Sequence, residues 1–474
     1  MIRYFFTIKT HTITMCKNNL LCSLLIAGAM AMTFSSCKKE DTPPTPAVDP
    51  EISTTPYAVK ATGYITPKKQ LVDKDGNLYV TGSFSGIAVF GTTTLTAQGQ
   101  SDDIFLAKYN AKGELQWVKQ EGGADTDVAR SLALDASGNV FVIGEFSYTA
   151  LIGGTSLTSK GYKDIFLAKY TSEGTVQWVK QAGSTNLDYG YDVAIDGTDN
   201  IYITGNFYAE TIIGNTTLTA VGNGRNTYIA KYTSSGEVQW VKSGGGYGRY
   251  ITLDGAGTPY IAGEFYDDIS FGDKKLTVQG NSDIFIVHYS ATGEVLDIRT
   301  IGSANAEFSI RDLKFDASGN LYTTGLFTGT GTVGTTTLTS KGQTDVFTLK
   351  YNNTGAVQWV KVAASNNDDY VNALGIDGSG NVYITGYFYN PFTLESTTLT
   401  PAGGSDLFVA KYNNAGELQW AQKAGGESTD MGTTLTLDRS NNLYVAGLFY
   451  KSIQLHETTL TAEKEGLFLW KVKH

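Results

Sequence analysis

Short runs of alternating apolar and polar residues recur along the chain. Residues 165–170 alternate in this way, and a second β-rich run at residues 176–180 follows a turn centred on Gly174. Two β-rich runs joined by a tight glycine turn are typical of a hairpin. A similar pair precedes them at residues 131–135 and 139–146. The pattern therefore predicts two consecutive hairpins, or four strands, in each unit.

The four-strand unit is repeated. The stretch at residues 164–183 recurs at 103–122, 226–244, 283–302, 345–363 and 406–425, with a shorter echo from residue 466. Such self-similarity is typical of repeat architectures. We predict an all-β fold, a seven-bladed β-propeller with four-stranded blades. The glycines that follow the second strand number seven and are 58 to 62 residues apart: Gly82, Gly144, Gly205, Gly263, Gly325, Gly386 and Gly447.

The two ends of the repeat region complement one another. The last unit stops at residues 468–474, where the other copies turn into a tryptophan-bearing strand, and residues 57–63 align with residues 420–426 of that strand. We predict that the N-terminal strand completes the last blade and closes the ring, since closure removes open sheet edges.

Residues 1–37 have the character of a signal peptide. They hold three basic side chains and no acid, then an apolar run at residues 20–32, then small residues before Cys37. The apolar run is too short for an ordinary membrane-spanning helix. The segment resembles a bacterial lipobox, which implies cleavage before Cys37 and lipidation of this residue; cleavage by ordinary signal peptidase is the alternative. Met15 offers a second possible start besides Met1.

Residues 38–55 are rich in Pro, Thr and charged residues, which predicts a disordered tether. Residue 38 is not Asp, which resembles lipoproteins sorted to the outer membrane of Gram-negative cells, and the charged run resembles signals for surface display. Residues 56–474 form the predicted propeller.

Composition excludes several kinds of chemistry. Cys16 and Cys22 would leave with the signal, so the mature chain has no thiol for a disulfide or a nucleophile. Its net charge would change from −10 to −13, which does not favour nucleic acid. Only three histidines remain, so we expect no metal site or serine triad. Asp73 and Asp75 have the spacing of calcium ligands, but the other copies of this turn lack the second carboxylate.

The repeat resembles a known family. The pattern D-x-x-G-N-x-Y-x-T-G at residues 377–386, followed by L-T-x-x-G-x-x-D-x-F-x-x-K-Y and G-x-x-x-W, is similar to the SBBP β-propeller repeat of exported bacterial proteins. The likeness covers residues 56–474 and implies a fold without catalytic residues.

A weaker likeness is to the tryptophan-docking motif of quinoprotein propellers. Ala107, Gly113 and Trp117 keep its spacing, whereas Tyr109 and Lys112 replace its Asp and Thr. The motif implies indoles packed between blades, and we expect no quinone or other cofactor. Asp297 stands at the tryptophan position of the fourth unit, which we expect to be looser.

Candidate binding residues lie in the loops between units, because these loops vary whereas the D-x-x-G-N and glycine turns are uniform. Mixed aromatic and acidic side chains suit a sugar or peptide. Alternatively, the aspartates cap loop amides. The candidates are Asp127, Asp188, Tyr189, Tyr191, Tyr247, Arg249, Asp369, Tyr370 and Asp430.

A cation recurs at one strand position, where a ring for an anion is conceivable. We favour a structural role, with the aspartates at the head of the same strand as ion-pair partners. The positions are Lys108, Lys169, Lys231, His288, Lys350, Lys411 and Lys471.

The sequence thus predicts a lipid-anchored outer-membrane or surface propeller that binds a carbohydrate, peptide or envelope protein and performs no chemistry. The alternative is a glycoside hydrolase or polysaccharide lyase that uses carboxylates of the loops. A third possibility is a structural component of the envelope.

Overall fold

The computed structural model describes residues 57–221 and 224–472. The predicted signal peptide (1–37), including Cys37, and the predicted tether (38–55) lie outside the described residues. Every regular element of the described ranges is a β-strand, and these ranges contain no helix. The prediction of an all-β chain is therefore confirmed.

The first half of the described chain contains strands β1 to β19. Their bounds are Tyr57–Val72 (β1), Leu78–Phe90 (β2), Thr93–Thr96 (β3), Asp102–Tyr109 (β4), Leu115–Gly123 (β5), Val128–Leu134 (β6), Val140–Ile152 (β7), Thr155–Tyr170 (β8), Val176–Ala182 (β9), Asp188–Ile195 (β10), Ile201–Tyr208 (β11), Glu210–Ile213 (β12), Thr216–Thr219 (β13), Arg225–Tyr232 (β14), Val238–Gly245 (β15), Tyr247–Leu253 (β16), Pro259–Phe265 (β17), Ile269–Phe271 (β18) and Lys274–Leu276 (β19).

The second half contains strands β20 to β35. Their bounds are Asp283–Tyr289 (β20), Val295–Ile301 (β21), Ala306–Phe315 (β22), Leu321–Val333 (β23), Thr336–Thr339 (β24), Asp345–Tyr351 (β25), Val357–Ala364 (β26), Asp369–Ile376 (β27), Val382–Phe388 (β28), Phe392–Leu394 (β29), Thr397–Leu399 (β30), Asp406–Tyr412 (β31), Leu418–Ala424 (β32), Asp430–Leu437 (β33), Leu443–Leu455 (β34) and Thr458–Lys471 (β35).

The strands pair antiparallel in units of four, as the repeated hairpins predict. One unit runs β6-β7-β8-β9, and the same order recurs in β10-β11-β14-β15, β16-β17-β20-β21, β22-β23-β25-β26 and β27-β28-β31-β32. Short strands such as β3 and β24 add a small hairpin beside the second strand, where the Leu-Thr segments lie.

Strand β1 belongs to two units. Its second half pairs with β2, and its first half pairs with β35 in a register that places Tyr57 opposite Lys471 and Thr62 opposite Gly466. The predicted pairing between the segments near Tyr57 and Trp470 is confirmed, since Ala58 lies opposite Trp470. The N-terminal strand therefore supplies the fourth strand beside β33, β34 and β35.

The hydrophobic core lies between neighbouring units. One cluster joins Phe141 and Ile143 of β7 to Ile203 of β11 and Tyr228 of β14. Each sheet thus buries its apolar side chains against the next sheet, as sheet-on-sheet packing requires.

Tryptophans stabilise the contact between adjacent units by hydrogen bonds from the indole N–H to a turn of the next unit. The indole N–H of Trp117 donates to the carbonyl of Ser172 at 3.3 Å, and that of Trp240 donates to Ala291 at 3.0 Å. The turn under the first indole favours glycine, because Gly174 has a φ of 75° and a Cβ there would lie 2.6 Å from Lys119 Cε and 3.2 Å from the ring of Trp117. The residues of the tryptophan-docking motif therefore act in packing.

The unit that lacks tryptophan uses an arginine instead. Arg299 pairs with Asp297 at 2.8 Å, and its guanidinium lies 5.7 Å from the centroid of the Tyr351 ring. A Cβ on Gly355, in the turn of the next unit, would lie 2.6 Å from that guanidinium. A planar cation thus covers the turn that an indole covers elsewhere.

The D-x-x-G-N turns are self-contained. The carboxylate of Asp377 accepts from the amides of Ser379 and Asn381 at 2.9 Å and from Asn381 Nδ2 at 2.7 Å. These bonds fix the turn as an Asx turn does.

Asp73, which has the spacing of a calcium ligand, uses both carboxylate oxygens in the same way. The described ranges contain no group of three or more His, Cys, Asp or Glu that could hold a metal ion.

Candidate ligand-binding face

The four predicted aspartates lie where a loop between units meets the first strand of the next unit, and all four are buried. Each of these side chains is 0% exposed. Asp127 accepts from the amides of Gly123 and Ser147 at 2.7 and 3.0 Å, and Asp430 accepts from Gly426 at 2.6 Å. The carboxylates thus cap loop amides, and their contact with a ligand stays a prediction. The other two are Asp188, bound to Ser184, and Asp369, bound to Ser365.

Each loop aspartate has a second carboxyl as a neighbour, namely the aspartate at the head of the third strand. A Cβ on Gly122 would lie 2.9 Å from Asp127 Oδ2 and 3.1 Å from Asp103 Oδ1, so both groups converge on this glycine. The amide of Ser365 donates to Asp369 Oδ2 at 2.5 Å and to Asp345 Oδ1 at 3.3 Å, so these two carboxyls also lie close together. We call these four sets the carboxyl pairs: Asp103 with Asp127, Asp164 with Asp188, Asp345 with Asp369, and Asp406 with Asp430.

Burial and the paired charge both disfavour ionisation. Burial, with a smaller contribution from the neighbouring Asp103, raises the pKa of Asp127 to about 7 despite the hydrogen bonds from the amides of Ser147 and Gly123. The pKa of Asp188 is raised to about 7 by burial and by Asp164. We call the surface formed by the loops between units the loop face. Near neutral pH these buried aspartates therefore give it less negative charge than its sequence indicates.

Aromatic and cationic side chains contact one another at the unit β10-β11-β14-β15 and at the adjoining strand β16. Tyr189 and Tyr191 of β10 stack with ring centroids 5.8 Å apart. Arg225, at the start of β14, places its guanidinium 5.4 Å from the centroid of Tyr189 and 5.3 Å from that of Tyr247. We call this set the tyrosine–arginine cluster: Tyr189, Tyr191, Tyr208, Arg225, Tyr247 and Arg249.

A second aromatic surface lies across the same face. The rings of Tyr370 and Tyr387 stack at 4.7 Å, and Tyr389 meets Tyr387 edge-on at 5.9 Å. Tyr370 is partly exposed and Tyr389 is 36% exposed. Stacked phenol rings with hydroxyls at their edges offer both an apolar surface and hydrogen bonds.

The first strand of each unit carries a β-bulge at one repeated position. These first strands, here called the innermost strands, are β1, β6, β10, β16, β22, β27 and β33. In β6, for example, the register shifts between Ala129 and Ser131, which leaves Arg130 unpaired. A bulge redirects the side chain of the extra residue. We call these seven residues the bulge ring: Lys68, Arg130, Tyr191, Arg249, Arg311, Asn372 and Thr433.

The bulge ring lines a cavity between the innermost strands, with a volume of about 200 Å³. Deeper in this cavity, Lys69 lies 3.9 Å from Asp192, and Asp192 accepts from Ser131 Oγ at 2.5 Å and from the amide of Ile251 at 3.0 Å. Asp192 therefore links its own strand, β10, to the three strands β1, β6 and β16.

The repeated cations lie elsewhere and act structurally. Lys411 reaches Asp377 at 3.9 Å, and Lys169 reaches Asp135 at 3.7 Å. These partners, like Asp254 for His288, are aspartates of the turn before the second strand, whereas Lys108, Lys231 and Lys350 donate to carbonyls of the next unit. The expected partners at the strand heads are therefore wrong. The strand-head carboxyls face the loop amides instead. Lys411 also lies 4.9 Å from the centroid of the Tyr383 ring.

Sequence reasoning named Tyr191 and Arg249 but missed the rest of the bulge ring and Arg225. A signal for the ring exists, because all seven residues lie 14 positions before the repeat glycine of their unit. Three arginines and a lysine at one repeat position mark a shared location. The sequence alone does not show that this position is bulged, since the strand pairing decides it.

The fold and the loop face define a β-propeller protein. The model of the SBBP family, described as "Beta-propeller repeat", matches residues 177–206 and 358–392. Each match runs from a tryptophan-bearing strand through the loop to the second strand of the next unit. The chain carries SBBP repeats, as the sequence resemblance predicts.

Curated relatives are distant and longer. An uncharacterised WD repeat-containing protein, L264 of Acanthamoeba polyphaga mimivirus, is 23% identical over 445 residues, which cover 76% of this chain and 32% of the relative. Regulatory protein FlaEY of Caulobacter vibrioides is 25% identical over 179 residues, which cover 36% of this chain and 18% of the relative. The chain spans about a third or less of the length of these relatives.

Solved structures with a similar fold include a polysaccharide lyase of family PL25, an ulvan lyase. It has a TM-score of 0.46 and 10% identity, and the match covers 82% of this chain and 93% of the lyase. A protein of unknown function from Dyadobacter fermentans has a TM-score of 0.37 and 11% identity, with 89% of this chain and all of that chain covered.

Proposed function

We propose that this protein is a non-catalytic binding module that holds a carbohydrate on its loop face. The scaffold in this proposal is a ring of seven four-stranded blades, closed where β1 joins β35. Binding sites of propellers and other repeat folds commonly lie where variable loops are held by a rigid scaffold. Here the D-x-x-G-N turns and interblade tryptophans make the scaffold rigid.

The observation that carries the proposal is the tyrosine–arginine cluster, with the stacked pair of Tyr370 and Tyr387 on the same face. Phenol rings pack against the apolar face of a sugar, and their hydroxyls and the guanidinium N–H groups meet its hydroxyls. The neighbouring carboxyls are buried and already accept loop amides, so they do not occupy the surface. In our proposal the aromatic groups, rather than the aspartates, contact the ligand.

The proposed setting is the cell envelope, with the chain held by lipid on Cys37 and facing the periplasm or the cell surface. This residue lies outside the described residues. In the part of the chain that the structure describes, no helix has the length and apolarity needed to cross a bilayer.

A glycan array combined with an activity screen tests the proposal on the full chain. We expect binding to a subset of saccharides without turnover, and we expect Tyr370→Ala to weaken binding by about tenfold, because a stacked aromatic contributes on the order of 1 kcal/mol or more. The matched control is Tyr162→Ala, which removes a tyrosine that is 65% exposed and outside both aromatic sets.

Three other outcomes would contradict the proposal. Saccharide turnover that is lost in Asp188→Asn would favour the carboxylate-based hydrolase or lyase. Capture of a peptide or an envelope protein, with no saccharide bound, would favour a protein-binding role. Equal saccharide affinity in the wild type and in Tyr370→Ala would place the ligand away from these rings.

A further inference from the structure

The bulge ring concentrates positive charge in an acidic chain. The chain has a net charge of −10, yet four of the seven ring positions hold Lys or Arg. A bulge redirects the side chain of the extra residue, and all seven residues of the bulge ring line the same cavity. Hydrogen-bond donors of the bulge ring are therefore concentrated at the cavity that these residues line.

Two of the four cations are neutralised by buried glutamates. Arg130 Nε donates to Glu145 at 3.0 Å, and Arg249 Nε donates to Glu264 at 2.9 Å. Both glutamates are almost fully buried, at 0% and 2% exposure. These pairs fix the two guanidinium groups, which both lie 5.6 Å from the centroid of the Tyr191 ring.

The other two cations have no such partner. Across residues 57–221 and 224–472, no carboxylate lies within 4.0 Å of the Lys68 ammonium or the Arg311 guanidinium, and neither group donates a side-chain hydrogen bond. Burial and the charge of Arg130 lower the pKa of Lys68, and the more distant charges of Glu145 and Asp102 offset only part of this shift. An anion in the opening would relieve this repulsion.

Arg311 also connects the opening to the aromatic surface. Arg311 in β22 and Tyr370 in β27 lie on neighbouring strands that contact one another. A ligand on the ring of Tyr370 therefore has a cation within reach. The polar side chains of Asn372 and Thr433 complete the lining of the opening.

We propose that the bulge ring is an anion subsite, which takes a carboxylate or sulfate group of an acidic saccharide between Lys68 and Arg311. This inference rests on the proposed function, because the sugar ring itself lies on the tyrosines. Guanidinium groups recognise carboxylate and sulfate oxygens with paired N–H donors. A saccharide is favoured over an acidic peptide because stacked phenol rings adjoin the cations.

Isothermal titration of the full chain with a galacturonic acid tetrasaccharide tests the subsite, with its methyl ester as the neutral match. A sulfated galactan oligosaccharide distinguishes sulfate from carboxylate as the bound group. We expect at least one acidic saccharide to bind, about tenfold or more tighter than its neutral match. We also expect added salt to weaken this binding, because salt screens charge.

The variants are Arg311→Gln and Lys68→Gln, since neither breaks an ion pair. Each should weaken binding of the acidic saccharide by about tenfold. The control is Arg439→Gln, which removes an exposed arginine from the turn at residues 438–442, at the other end of the units, and should leave affinity unchanged. Unfolding midpoints equal to that of the wild type would show that the variants fold.

Two results would overturn the subsite. Affinity that is equal for the acid and its methyl ester, or unaffected by both variants, would remove it. If neutral saccharides still bind and Tyr370→Ala still weakens them, the proposed function stands without the subsite. Binding of hexaglutamate but of no saccharide, with the same dependence on Arg311, would replace the saccharide with an acidic peptide.

Discussion

At the residue scale, identical amino acids serve different purposes according to their position in the repeat. Asp377 sits in a turn where amides saturate it, and its pKa is lowered because the hydrogen bonds from Asn381 and Ser379 outweigh burial. Asp430 begins strand β33 at the end of a loop, where burial and Asp406 raise its pKa to about 7. The difference arises because the turn supplies several donors, whereas the loop supplies fewer donors and a second carboxyl.

The carboxyl pairs predict a dependence of stability on pH. In the unfolded chain Asp127, Asp188 and Asp430 ionise near 3.8, whereas in the folded chain they ionise near 7. Between these values unfolding releases protons, so the free energy of unfolding falls as pH rises from about 4 to about 7. One pKa unit corresponds to about 1.4 kcal/mol for each group.

Unfolding midpoints measured from pH 4.5 to pH 8 check this prediction. We expect Asp188→Asn to reduce the fall, because asparagine still accepts the amide of Ser184 but carries no charge. The control is Asp267→Asn at an exposed position, which should keep the full fall. A stability that rises over this range, or an unchanged fall in Asp188→Asn, would contradict the prediction.

At the element scale, the hairpins and their repetition could be predicted because they are written in local patterns. Alternation indicates a strand, and the glycine of the Asp-Ala-Ser-Gly-Asn turn adopts positive φ, as Gly138 does at 81°. The bulges could not be predicted in this way. A bulge is a mismatch between two paired strands, and nothing in the residues around Arg130 alone shows it.

Because β1 pairs with β35, we predict that residues 57–62 contribute several kcal/mol to the unfolding free energy of the described propeller region. Deletion of residues 57–62 removes the partners of residues 466–471 and leaves the edge of β35 open. We expect a loss of several kcal/mol of unfolding free energy, at about 1 kcal/mol for each backbone hydrogen bond. We also expect association through the open edge.

Thermal unfolding and gel filtration measure these effects. Deletion of residues 42–47, of equal length and within the predicted tether, is the control and should change neither. If the deletion of residues 57–62 left the midpoint and the monomer peak unchanged, the contact between the two ends would not contribute to stability.

At the scale of the whole molecule, the sequence predicts the scaffold better than the site. The scaffold could be predicted because the same pattern of strands and turns recurs in every unit, so each copy supports the same assignment. The carboxyl pairs show the limit: their members are 24 residues apart in all four units, but only the fold reveals that they converge on glycines such as Gly122. Function depends on the positions where the units differ, and there the repeat gives no guidance.

The last prediction concerns Cys37 and follows from the proposed placement of the propeller in the cell envelope. If this residue carries the lipid, the wild type sediments with membranes, because each buried methylene of an acyl chain contributes about 0.8 kcal/mol. We expect Cys37→Ser to move the protein to the soluble fraction, whereas Cys22→Ser, within the predicted signal peptide, should leave it with the membranes. Immunoblots of fractionated cells that express each variant give the measurement. A Cys37→Ser protein that stays with the membranes would show that something other than this lipid holds it there.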